Sequence, residues 1–143
     1  MKNYPTPLEY SFPQIIDVTD PLAGAQWTQT VPANTIWLIN CVEFQLATDA
    51  TVANRVPRVE IFDGTTSMRV GGSGQVHTAS LTRDHILKPG GHGLGPATET
   101  SGDLAPRLYL QPGWIIRSST ASLAAGDTHL NIALYIQRWL VNP

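Results

Sequence analysis

A chain of 143 residues with a formal net charge of -2 fits one domain, large enough to bury about 68–70% of its unfolded surface. Charged residues make up only 14% and the nine Lys and Arg are scattered singly from Lys2 to Arg138, so no basic stripe can track a nucleic-acid backbone. A membrane span is excluded as well, since no stretch approaches ~18 consecutive apolar residues, and the single Cys41 cannot form an intramolecular disulfide and reads as a small buried side chain.

Residues 1–13 carry Pro5, Pro7 and Pro13 among Tyr4, Leu8, Tyr10 and Phe12. They predict an extended arm that cannot join a central strand, its aromatics tucked on the domain's own surface or docked on a neighbouring subunit. The start lacks the apolar stretch of a signal peptide, which predicts synthesis and folding in a cytoplasm. From residue 14 onward, twelve Gly and eleven Pro over the whole chain leave hardly any window for a three-turn helix, so strands are expected. Gln14 to Thr19 and Ala25 to Val31 read as the first two.

The clearest strand is Thr35 to Thr48, with Ile36, Leu38, Val42, Phe44 and Leu46 on one face and Trp37, Ile39, Cys41, Glu43 and Gln45 on the other, interrupted by Asn40. Asp63-Gly64 between Arg58–Phe62 and Thr65–Val70 is a hairpin signal. Val76 to Leu87 reads as one continuous strand, and the glycine-rich stretch Pro89 to Gly102 as the longest loop. Gln111-Pro112-Gly113 separates Arg107–Leu110 from Trp114–Arg117, and Ala125-Gly126-Asp127 precedes a final strand from about His129 to Val141. That strand places Ile132, Leu134 and Ile136 on one face and Ala133, Tyr135, Gln137 and Trp139 on the other. About eight strands at this spacing, without helices to cover a parallel sheet, predict an all-β antiparallel β-sandwich in a single domain, residues 14–143. Long strands apolar on both faces sit centrally or meet a partner subunit.

Motifs of chemistry fail on inspection. Gly71-Gly72-Ser73-Gly74-Gln75 ends in Gln where a nucleophile elbow needs Gly, and no helix follows. Gly91-His92-Gly93-Leu94-Gly95-Pro96 has Pro in the third glycine position of a dinucleotide loop and no βαβ context. Of the four histidines, His77 and His85 share strand parity, but on one continuous strand they lie roughly 26 Å apart at ~3.3 Å per residue. They are therefore not expected to share an ion. His92 and His129 fall elsewhere, and His85 beside Asp84 reads as polar surface, since strand neighbours point to opposite faces. Glu43, Glu60, Asp63, Asp84, Asp103 and Asp127 mark strands and turns, with no pair set across a cleft. The expectation is no catalytic residue, no metal, no cofactor and no enzyme. Trp27, Trp37, Trp114 and Trp139 are candidates for a sugar-stacking platform, against the commoner fate of core packing or intersubunit contact.

An ordered set of short signatures carries a resemblance. Val31-Pro32-Ala33 leads into the strand with Trp37; Ala50–Arg55 and Val59–Gly64 follow, then Thr78–Arg83, Leu110–Trp114 and Ala125–Asp127. Taken in order, across residues 27–141, this resembles small jelly-roll structural proteins of tailed bacteriophages, among them the decoration or cement proteins of the head. The resemblance implies a jelly-roll-like sandwich; the extended N-terminal arm before Phe12 and the histidine-bearing glycine loop depart from it. It also implies a virion location on the capsid surface, with the major capsid protein and further copies of the chain, as dimer or trimer, as partners. It implies clamping of neighbouring capsid subunits; a neck, tail or fibre module binding a receptor or glycan is the alternative, and a cupin-like metalloenzyme a third. Candidate interface residues are Tyr4, Leu8, Tyr10, Phe12, Trp37, Tyr135 and Trp139, and deletion of residues 1–12 is expected to spare the fold while weakening particle association.

Overall fold

The computed structural model describes residues 11–91 and 98–141; Tyr4, Leu8, Tyr10 and His92 lie outside that range. The architecture is all-β. Strands are β1 (Ser11–Val18), β2 (Thr28–Thr30), β3 (Thr35–Ala47), β4 (Arg58–Phe62), β5 (Ser67–Gly72), β6 (Thr82–Lys88), β7 (Glu99–Leu104), β8 (Leu108–Leu110), β9 (Ile115–Ser118) and β10 (Thr128–Leu140). They follow one path, β1-β10-β3-β6-β7-β5-β4-β9-β2, with β8 added alongside the first half of β3. The path folds over on itself as a sandwich: Val59, Ile61, Val70 and Ile116 from one half share a single core with Phe44, Leu46, Leu87, Leu134 and Ile136 from the other.

The long antiparallel ladder of β3 with β10 anchors the molecule, and two bulges set which side chains face the core. Cys41 pairs with Tyr135 while Ile39 pairs with Ile136, so Asn40 is the extra residue and the face of β3 switches there. Trp37 and Ile39 point inward before the bulge, Val42, Phe44 and Leu46 after it. This corrects the expected single face: Ile36 instead lies opposite Trp139, outside the main core. In β10, Asn131 at φ 51° interrupts the pairing between Leu130 and Ala133. The bulge lets His129 and Ile132, of opposite parity, both be buried.

The Asp63-Gly64 hairpin forms as expected between β4 and β5. Asp63 Oδ1 accepts the Thr65 and Thr66 amides at 2.8 and 2.7 Å, and Gly64 at φ 100° takes the left-handed position that a side chain resists. Gly113, at φ 82°, turns the chain from β8, which pairs with β3, to β9, which pairs with β4 and β2. That turn therefore crosses between the halves of the sandwich.

Three expectations change. Residues 11–13 belong to β1, paired to β10 from Ser11↔Trp139 onward; Pro13 sits in a strand at the end of the path, where a missing N–H is tolerated. Glu99–Leu104 is a strand in the stretch read as loop, and it runs parallel to β6, whereas the remaining pairings are antiparallel. Its Gly102 hid it: a Cβ there would meet Leu87 Cδ2, the Gly72 carbonyl and Ser73 Cα, so only glycine lets this junction of β5, β6 and β7 close. Finally, Val76–Leu87 is not one strand, because the chain turns at Ser80, φ 52°, before β6 begins at Thr82.

Candidate functional site

The turn at Ser80 reverses the prediction for the histidines. His77 Nδ1 and His85 Nε2 are 3.2 Å apart, and both side chains are fully buried. Protonation follows from the partners. His77 Nε2 lies 2.8 Å from the Leu81 carbonyl, which can only accept, so Nε2 carries the proton and Nδ1 of the neutral ring accepts. His85 Nε2–H then donates to it, leaving His85 Nδ1 as a buried lone pair without a partner among the described residues. The hydroxyl of Thr100, the register partner of His85 on β7, is likewise buried and unpartnered.

His129 joins the same region from β10. Its Nδ1–H donates to the Ala25 carbonyl at 3.2 Å, and Nε2 accepts from the Thr120 hydroxyl at 3.1 Å. Phe44 lies between two of these rings, stacked on His85 at 5.2 Å and 20° and tilted against His129 at 5.7 Å and 59°. Burial is the first cause lowering all three imidazoles below their ordinary value, His85 to about 3 with a further push from His77. All three are neutral at neutral pH.

Beside them Arg55 is fully buried and uses all five of its N–H donors. Nε and Nη2 grip the Asp127 carboxylate at 2.8 and 2.9 Å, Nη2 also reaches Asp49 Oδ1 at 3.1 Å, and Nη1 donates to the carbonyls of Thr51 and Ala53 at 2.7 and 2.9 Å. Asp127 also accepts the amides of Asp49 and Ala124 at 2.9 and 2.8 Å. Burial alone would raise its carboxyl, but the Arg55 hydrogen bond and these amides hold it below the usual carboxylate range. The Arg55 backbone exchanges hydrogen bonds with that of His77, and the Asp127 carbonyl accepts the Gly24 amide. The ion pairs of Arg55, together with the backbone bonds of Arg55 and Asp127, thus fasten the loops before β4, β6 and β10 and the one before β2. Sequence reading had placed Asp127 only as a turn residue. The missed signal was Asp49 just after one long strand and Asp127 just before the other, with Arg55 in the connection between β3 and β4, a pattern without meaning until the loops converge.

The interface candidates divide. Trp37 is 1% exposed and Trp139 6%, so neither can serve a partner in this fold: Trp37 lies in the main core and Trp139 packs its ring 5.9 Å from Tyr109. Nor do the tryptophans make a sugar platform, since Trp27 is buried and Trp114 packs half-buried on the core. Phe12 is 51% exposed on β1. Tyr135 is half-buried, opposite the exposed Ile15, with its hydroxyl donating to Glu43 Oε2 at 3.3 Å. That neighbouring carboxylate raises the phenol's pKa.

Among the described residues no group of three or more His, Cys, Asp or Glu side chains is placed to hold a metal ion. The convergent polar side chains hold one another instead, and what they do chemically is cross-link backbone segments. No protein-family model, curated protein or solved structure matches the chain.

Proposed function

We propose that the chain is a virion structural protein of a tailed bacteriophage, a decoration or cement protein that binds neighbouring major capsid subunits and does no chemistry. The observation that carries this reading is the complete internal use of Arg55: each donor is bonded to the chain itself, which cross-links the loops before β4 and β10. A body already ordered loses little conformational freedom on docking, so weak surface contacts repeated over a shell suffice. Strand β1, at one end of the sheet path, supplies contact side chains on both its faces, Phe12 on one and Ile15, 58% exposed, on the other.

The test is binding of the purified chain to shells that lack it, followed by pelleting. Saturable binding, weakened in a Phe12→Glu/Ile15→Glu variant of unchanged melting temperature, supports the reading; a wild-type chain that stays in the supernatant overturns it. Deletion through residue 12 would strip two paired positions from β1, so the clean arm truncation stops at residue 10. It is expected to fold and to bind less.

A further inference from the structure

Between β5 and β6 the chain runs from Ser73 to Leu81 against the sandwich with an unusual anchor. Among residues 73–80 only His77 is buried, and the one large apolar side chain, Val76, is 48% exposed. A segment without a buried apolar side chain has little to oppose local opening. What holds it is polar: the paired backbone bonds of His77 and Arg55 at 2.8 and 3.1 Å, the Ser80 amide on the Asp49 carbonyl at 2.8 Å, and the Thr48 hydroxyl on the Thr78 carbonyl at 2.6 Å. The two ends are tied through their backbone, the Ser73 amide on the Pro57 carbonyl and Leu81 on Thr48 through both its amide and its carbonyl, and the side-chain anchor between them is the His77 ring, donating to Leu81 and accepting from His85.

We infer that His77 is an acid-sensitive plug: proton uptake by its imidazole releases segment 73–81 from the sandwich while the β3–β10 ladder stays closed. The site fits one protonation state. A second proton on His77 would set an N–H against the N–H of His85. If His85 instead shifts its proton to its unpartnered Nδ1, the hydrogen bonds between the rings survive but a buried cation remains. The charges facing His77 do not relieve it. Arg55 from the loop before β4 and Arg83 from β6 both disfavour a cation, His85 from β6 and His129 from β10 are neutral, and Asp127 before β10 already grips Arg55. Burial lowers the His77 and His85 pKa values accordingly. Once the segment lifts, His77 meets water and regains its ordinary proton affinity.

Amide hydrogen exchange on the full chain, corrected for intrinsic rates, tests this. Between about pH 7.5 and about 5.5 the opening equilibrium read at the His77, Ser80 and Leu81 amides is expected to rise roughly tenfold if His77 alone titrates, and roughly a hundredfold if His85 also gains a proton. Amides in the centre of β3 and β10 change far less over that range. In a His77→Gln variant the pH dependence at the segment amides falls by at least that tenfold factor. Opening that is independent of pH overturns the inference, as does exchange that accelerates equally throughout β3 and β10; the wild-type measurement decides even if the variant fails to fold.

Discussion

Arg55 and Asp127 meet as a fork on a fork, Nε to Oδ2 at 2.8 Å and Nη2 to Oδ1 at 2.9 Å, with both side chains shielded from solvent. Removing Asp127 leaves Arg55 a buried charge whose one carboxylate partner is the partly exposed Asp49 at 3.1 Å. Asp127→Ala is therefore expected to lower unfolding free energy by about 3–5 kcal/mol, measured by urea denaturation at neutral pH. A loss below about 1 kcal/mol would mean that the pair behaves like a surface salt bridge.

Acid should weaken the fold in a defined window. His77, His85 and His129 titrate below their ordinary value when folded, so as pH falls through about 6.5 the unfolded chain takes up protons that the folded chain refuses. Their contribution is intact above that point and declines below it, for His85 down to about 3. Asp127 adds nothing to this upper window, because a depressed carboxyl loses its contribution only in the acid range below the ordinary carboxylate pKa. Unfolding free energies from urea denaturation between about pH 7 and 5 should fall with a limiting slope near 1.4 kcal/mol per pH unit for each histidine. A flat profile would contradict the burial of these rings.

Gly102→Ala places a methyl group between Leu87 and the backbone of Gly72 and Ser73. Neither backbone segment can yield without disturbing the β5–β7 or β6–β7 pairing. A loss of about 1–3 kcal/mol is expected, as for other overpacked cores, and thermal unfolding measures it. Gly74→Ala is a useful contrast, since nothing lies within 4 Å and only its φ of 66° is strained.

Cys41 faces away from the core in β3, half-buried, and burial first, then Glu43, pushes its thiol up to about 11 against a smaller opposing effect of Lys88. At about pH 8 native Cys41 should react with a thiol reagent more slowly than in urea by roughly tenfold or more, because the thiolate is the nucleophile and its scarcity outweighs its greater intrinsic reactivity. Comparable rates in the two conditions would show that the thiol is not shielded.

Strand identity was legible wherever alternation and turn chemistry agreed, as in the Asp63-Gly64 hairpin and in Ile132, Leu134 and Ile136 of β10. It failed at bulges, because a single extra residue such as Asn40 or Asn131 changes which face is buried without altering composition. The loop reading of residues 99–102 failed because glycine there serves close packing of strands, not a turn. The histidine pair was invisible for a related reason: a left-handed Ser80 carries no strong sequence signal, so two side chains expected at opposite ends of a strand stand in contact. Trp37 misled because the bulge at Asn40 turns its face into the core, and Trp139 because alternation alone cannot tell a face covered by Tyr109 of β8 from one left for a partner.

The most direct test of the proposed role is the copy number of this chain in purified particles made from the genome that encodes it, by quantitative mass spectrometry against the major capsid protein. A clamp spread over the shell predicts a fixed stoichiometric ratio to that protein in every preparation. A handful of copies per particle, or none, would contradict it.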